Sequence, residues 1–209
     1  MAVKTYNEEE ILKAAEELFV KHGYNATSTT KIAQKVGCNQ ALVHYYFRSK
    51  ENLFQQIFSK KITTMLSYFA TPLSREGDFF EKLTECINWY FDFLIQNPDL
   101  PFFVLNELIL NEERRTFIRK NFVSNAHRRE VYEVYSNFVR KEIEAGTINP
   151  MEPIDLLLDI ISLTITNFIA RPIYTDLLNK NETEGDAFIQ TRKDHVINLI
   201  INGISLQKS

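Results

Sequence analysis

TSTTKIAQKVGCNQALVHYYFRSK, residues Thr27 to Lys50, decides the fold. Ile32, Ala33 and Val36 recur at helical spacing; Gly37 then permits the positive φ of a helix end, and Asn39 is suited to cap a second helix. Two short helices around a tight Gly-containing turn, the second spanning 40 to 47, make a helix-turn-helix. That geometry lays a recognition helix in the major groove of duplex DNA.

The formal net charge of -3 over 209 residues argues against a nucleic-acid binder until its distribution is considered. Residues 1 to 60 hold eight Lys or Arg against six acids, a net of +2, so the remaining 149 residues carry -5. Thr27 to Lys50 contains no acid at all, and the local field there favours phosphate.

Only six Gly and six Pro punctuate the chain, which favours helices over strands and turns. Asn7 and Glu10 form a capping-box start to the first helix, whose stripe is Ile11, Ala14, Ala15, Leu18 and Phe19, with Gly23 as its stop. Ser49 caps a fourth helix whose apolar face, from Leu53 to Phe69, exceeds what a three-helix head can bury. Asp78 caps a fifth helix that ends at Asn97-Pro98, and a sixth runs over 102 to 110. One long helical stretch is expected from Glu112 to Ala145, with its arginines paired to nearby glutamates, then helices from the Pro150/Pro153 pair through Ala170 and from Phe188 to Leu206. The expectation is an all-α chain of about nine helices. Residues 1 to 48 would form the helix-turn-helix head and 49 to 209 a larger body, with the fourth helix linking them.

Gly23-Tyr24-Asn25-Ala26-Thr27-Ser28, then Ile32-Ala33, Val36-Gly37-Cys38-Asn39 and Tyr45-Tyr46-Phe47-Arg48-Ser49-Lys50-Glu51-Asn52-Leu53 match one family pattern in order and spacing. This stretch of roughly 60 residues resembles the amino-terminal domain of the TetR family of transcriptional regulators. The resemblance implies a ligand-responsive regulator, a repressor, that binds an inverted-repeat operator as a homodimer and is released by a small effector. The recognition helix departs from the usual pattern, reading Asn39-Gln40-Ala41-Leu42-Val43-His44, so operator preference does not carry over.

On this reading Thr27, Ser28, Thr29, His44, Tyr45 and Lys50 hold phosphates; Asn39 caps the recognition helix, while Thr30, Gln40, Ala41 and Leu42 face base edges. Gln suits adenine and an apolar Leu42 or Ala41 suits a thymine methyl, so half-sites containing A·T pairs are expected.

Helices eight and nine are apolar nearly all round, more than one body can bury. Leu157, Ile161, His195, Ile197 and Ile201 are the expected dimer contacts. In the body, Asn88, Trp89, Asp92, Phe103, Asn106, Glu107, Phe122, Asn125, Tyr132, Thr164, Asn167 and Phe168 mix aromatic with polar character and are the candidate effector residues. A buried Asp92 or Glu107 would need either a basic partner or a cationic or hydrogen-bonding ligand.

Enzymatic readings find no support. No histidine has a Glu three residues before it, and H-E-x-x-H, G-x-S-x-G, Gly-rich phosphate loops and paired Cys motifs are missing, so no cofactor or metal is expected. Cys38 and Cys86 are distant and unpatterned, no apolar leader opens the chain and no apolar run reaches spanning length. A cytoplasmic location without membrane contact is expected. The competing reading is an all-helical small-molecule carrier or interaction module whose helix-turn-helix is structural.

Overall fold

The computed structural model describes residues 7–110 and 112–206; inside these helices the side chains of residues 67, 68, 70, 107, 108, 110, 121–123, 182 and 186 lie outside the description. Two compact units result, Met1–Thr64 and Met65–Ser209, with the boundary inside the fourth helix.

The first unit is built from α1 (Glu8–Ala26), α2 (Thr29–Val36), α3 (Gln40–Phe47) and the opening of α4 (Lys50–Ala70). Asn7 and Glu10 satisfy each other's backbone N–H groups, and three acids occupy the first turn, where the helix dipole is positive. Gly23, at φ 76 and ψ 168, breaks the helical path before Tyr24 to Ala26 add a last turn. Ile11, Phe19, Ile32, Val43, Phe47, Leu53 and Phe54 are fully buried. Phe54 meets Phe19 and Tyr24 edge to face at 5.4 and 5.2 Å, a favoured arrangement of ring quadrupoles.

The second unit contains the rest of α4, a 3-10 turn (Pro72–Ser74), α5 (Phe79–Gln96), α6 (Leu100–Leu110), α7 (Glu112–Ser124), α8 (Ala126–Glu144), α9 (Pro153–Ile169), α10 (Arg171–Leu177) and α11 (Glu182–Ile204). Its core joins Leu83, Ile87 and Phe91 of α5 to Tyr135 and Val139 of α8, Leu156 and Ile160 of α9, and Val196 and Ile200 of α11. Among the described residues no single helix is long and apolar enough to cross a membrane.

The described residues form eleven α-helices, two more than periodicity predicts. The stretch expected to be one helix over 112 to 145 is two, because Asn125 leaves helical geometry and its side chain accepts from Arg128 N at 3.1 Å, capping α8. Helix α10 is new: after Ala170 the chain bends by 57° and Pro172 sits in the first turn, where its missing N–H costs nothing. The last helix begins six residues early, at Glu182, through an Asn181/Glu184 capping box that apolar periodicity does not register. Arg114 and Arg128 lie buried in the body.

Candidate nucleic-acid interface and effector region

The turn between α2 and α3 is set by Gly37, at φ 84 and ψ 24, whose N–H donates to Ala33 O at 2.8 Å. Cys38 N reaches the same carbonyl at 2.9 Å, closing the end of α2 before Asn39 Oδ1 accepts from Ala41 N at 2.9 Å and opens α3. Val43 and Phe47 drive one face of α3 into the core, which leaves Gln40, Ala41, His44 and Tyr45 outside. Tyr45 is 74 % exposed, although a tyrosine ring ordinarily gains by burial. Leu42 is half-buried.

The expected phosphate ligands separate into two groups. Ser28 Oγ accepts from Lys31 N at 3.2 Å as the cap of α2, and Thr29, Thr30, His44 and Tyr45 surround that helix end and the outer face of α3. Thr27 is instead 1 % exposed, with its hydroxyl hydrogen shared between Leu18 O at 3.1 Å and Gly23 O at 2.9 Å. Lys50 also turns inward: its ammonium donates to Tyr24 O at 2.9 Å and Thr27 O at 2.8 Å.

Gln40 does not project freely. Its Nε2 donates to Thr29 Oγ1 at 3.0 Å, its Oε1 accepts from Thr30 at 3.1 Å, and Nε2 lies 3.4 Å from His44 Nε2. Lys31 donates to Ala26 O at 2.8 Å, and Lys35 pairs with Glu17 at 2.7 Å, a hydrogen bond that lowers the Glu17 carboxyl pKa. Sequence reasoning missed Arg48. It is exposed at the end of α3 with φ 65, a conformation uncommon for a residue with a side chain, and it brings a guanidinium to the helix that carries His44 and Tyr45. Its signal in the sequence is being the single arginine of an acid-free stretch.

In the body, the structure brings α5, α9 and α11 together and with them part of the effector set. Asp92 pairs with Lys193 Nζ at 2.8 Å, so the basic-partner alternative is realised. Asn167 is buried and accepts from Arg192 Nε at 2.9 Å, while Phe168 packs at 6.2 Å from Phe91. Thr164 is fully buried one turn earlier, and among the described residues its hydroxyl has no hydrogen-bond partner.

Phe168 also lines a cavity of about 50 Å³ with Ile95, Pro98, Arg171, Ile189 and Gln190. Trp89 and Asn88 are half-buried on α5, Trp89 stacking on Phe93 at 5.2 Å. Phe103 is buried in α6, Asn106 and Tyr132 are half-buried, and Asn125 is occupied as the cap of α8. The side chains of Glu107 and Phe122 lie outside the description. Arg171, Arg192 and Gln190 went unremarked in the sequence because isolated polar positions on α10 and α11 look like solvated ones. Among the described residues no three His, Cys, Asp or Glu side chains converge as a metal site would need.

On α9 and α11 the expected dimer residues divide. His195 is exposed, whereas Leu157, Ile161, Ile197 and Ile201 are half-buried against the core of the body. The outward apolar positions are Ile154, Leu158 and Ile169 on α9, Leu158 being 54 % exposed, and Leu199 on α11, 50 % exposed.

Similarity to known proteins respects this division of the chain. The sequence pattern of the tetR family of bacterial regulatory proteins matches residues 11–57. The HTH-type transcriptional regulator QacR of Staphylococcus aureus is 43% identical over 51 residues, 24% of this chain and 27% of that protein, so this match spans about a quarter of its relative. The uncharacterized HTH-type transcriptional regulator YfiR of Bacillus subtilis is 24% identical over 157 residues, 72% of each chain. The crystal structure of the transcriptional regulator FadR from Bacillus subtilis, in complex with stearoyl-CoA, superposes with a TM-score of 0.69 at 19% identity, covering 95% of this chain and 100% of that one. At that identity the likeness extends to the fold alone. Together with the helix-turn-helix geometry, these matches identify residues 11–57 as a helix-turn-helix domain of the kind found in the tetR family of bacterial regulatory proteins.

Proposed function

We propose that this chain is a cytoplasmic repressor, without enzymatic activity, that binds an inverted-repeat operator as a two-fold homodimer and leaves it when a small, mainly apolar effector fills the body. The observation that carries the reading is the outer face of α3 with the start of α2. It is exposed, lacks acids, is rich in hydroxyl, amide and imidazole groups, and is held on a rigid three-helix core. Ser28, Thr29, His44, Tyr45 and Arg48 contact phosphates; Thr30, Gln40, Ala41 and Leu42 meet bases. Thr27 and Lys50 act from inside by holding the α1–α2 connection, and an ammonium with three donors remains compatible with a phosphate contact as well.

The dimer forms through the outward apolar positions of α9 and α11, with His195 among them. A two-fold interface then sets two recognition helices on successive turns of DNA or a multiple of that spacing. Leu158→Glu combined with Leu199→Glu should give a folded monomer in sedimentation and lose operator affinity; a dimer that survives both changes removes these faces from the interface.

The effector occupies the region of Trp89, Asp92, Thr164, Asn167 and Phe168. Because Asp92 is neutralised by Lys193, this region has no call for a cationic ligand. The apolar walls Ile95, Pro98, Phe168 and Ile189, with Arg171 at the same cavity, match an apolar chain ending in an anionic or hydrogen-bonding head, which the cavity of about 50 Å³ must widen to admit. The stearoyl-CoA bound by the FadR of similar fold belongs to that chemical class.

Selection of bound duplexes from a randomised pool tests the DNA reading, with a palindromic sequence expected and no enrichment counting against it. Titration of the selected duplex with long-chain acyl-CoA tests the effector. Release is expected, and Trp89→Ala with Phe168→Ala should abolish the response while sparing DNA binding. A ligand that binds tightly without changing operator affinity is not the effector.

A further inference from the structure

The amide of Gln40 is oriented before any DNA arrives. His44 Nδ1 lies 3.2 Å from Arg48 O, and a carbonyl can only accept, so Nδ1 carries the hydrogen. In the neutral ring Nε2 is then an acceptor, and the group facing it at 3.4 Å is Gln40 Nε2, which must donate. The other Gln40 Nε2 hydrogen goes to Thr29 Oγ1 at 3.0 Å, and Thr30 donates to Oε1 at 3.1 Å. Both amide hydrogens are spent. What Gln40 still presents outward is the second lone pair of Oε1.

A glutamine that reads adenine by the two-bond fork needs a free N–H for N7 and a free oxygen for N6. Here the fork is reduced to one acceptor. The bases offering a donor in the major groove are adenine, through N6, and cytosine, through N4; guanine and thymine offer acceptors at that level and are repelled.

We propose that Gln40 reads the exocyclic amine of adenine or cytosine through Oε1 alone, and that His44 determines this specificity by fixing which end of the amide faces outward. The inference rests on the DNA-binding function proposed for α3. His44 acts here as a positioning residue, whatever it contributes to phosphate binding, because removing its acceptor frees the amide to flip and offer Nε2 to guanine or thymine.

The test is selection from a randomised pool, then titration of four duplexes that differ only at the pair facing Gln40. The wild-type chain should bind the adenine and cytosine duplexes within about threefold of each other and discriminate against guanine and thymine by about tenfold, the scale of one well-placed base contact. His44→Ala should reduce that discrimination to below about threefold, a loss that a phosphate role alone would not produce, since phosphate contacts carry no base preference. Gln40→Glu, which has only acceptors, should keep the preference and shift it toward cytosine. A requirement for adenine with cytosine rejected overturns the proposal in favour of the fork, as does unchanged discrimination in His44→Ala or a lost preference in Gln40→Glu. Failure of the wild-type chain to enrich any duplex overturns the DNA-binding reading itself.

Discussion

The ammonium of Lys50 sits 3.9 Å above the centroid of the Tyr24 ring while donating to the carbonyl of the same residue at 2.9 Å. With its further bond to Thr27 O at 2.8 Å, the first residue of α4 holds the connection that leads into α2. Tyr24 in turn packs on Phe19 and Phe54, so the lysine ties the entry of the helix-turn-helix to the aromatic core of the head.

Lys50→Met should therefore lower stability by about 1.5–3 kcal/mol, the usual scale for hydrogen bonds made by a charged group. Operator affinity should fall alike for all sequences, because α2 shifts rather than one base contact being lost. Chemical denaturation and duplex titration check the two parts, and a variant as stable as the parent would show that the lysine acts only through phosphate.

Gly37→Ala places a Cβ where φ is 84, at a cost of about 1–2 kcal/mol. The turn that aims α3 is the part strained, so DNA affinity should fall as well as the melting temperature. An alanine variant with unaltered melting and binding would contradict this account of the turn.

Lys193→Met leaves Asp92 half-buried without its partner. A loss of up to about 1 kcal/mol is expected, since Asp92 keeps about half of its surface in water and the pair is partly screened. Adding Asp92→Asn to Lys193→Met should restore part of that loss. A double-mutant cycle measures the coupling, and additive effects would show that the pair contributes nothing.

Alkaline pH should unfold the body. Burial pushes the Cys86 thiol up to about 12 and raises the phenols of Tyr90 and Tyr135 above their ordinary values. Each group holds its proton more tightly folded than unfolded, so its contribution is fully present below the unfolded pKa, about 8.5 for a thiol and about 10 for a phenol, and is lost as pH rises toward the folded value. Melting temperatures measured from pH 8 to 12 should decline throughout the upper part of that range. Cys86 should resist alkylation at pH 8 until the chain is unfolded, and rapid labelling of native protein would contradict its burial.

What the sequence determined by itself is the head. Ile32, Ala33, Val36, Gly37 and Asn39 each state a local preference, and all agree on the same helix, turn and cap, which a chain only eight residues per helix can express without distant partners. The all-α class was equally legible, because scarcity of Gly and Pro and a 3.6-residue period are local properties. Only the tertiary structure decided which side chains remain available. Thr27 and Lys50 have the chemistry of phosphate ligands, yet the carbonyls that engage them lie up to 26 residues away. Asp92 meets Lys193 across 101 positions, and Asn167 meets Arg192 across 25, pairings that no local pattern encodes. The break at Asn125 and the turn into α10 were hidden for a related reason: a side chain that caps a helix and a bend that costs no hydrogen bond leave the apolar period intact on either side.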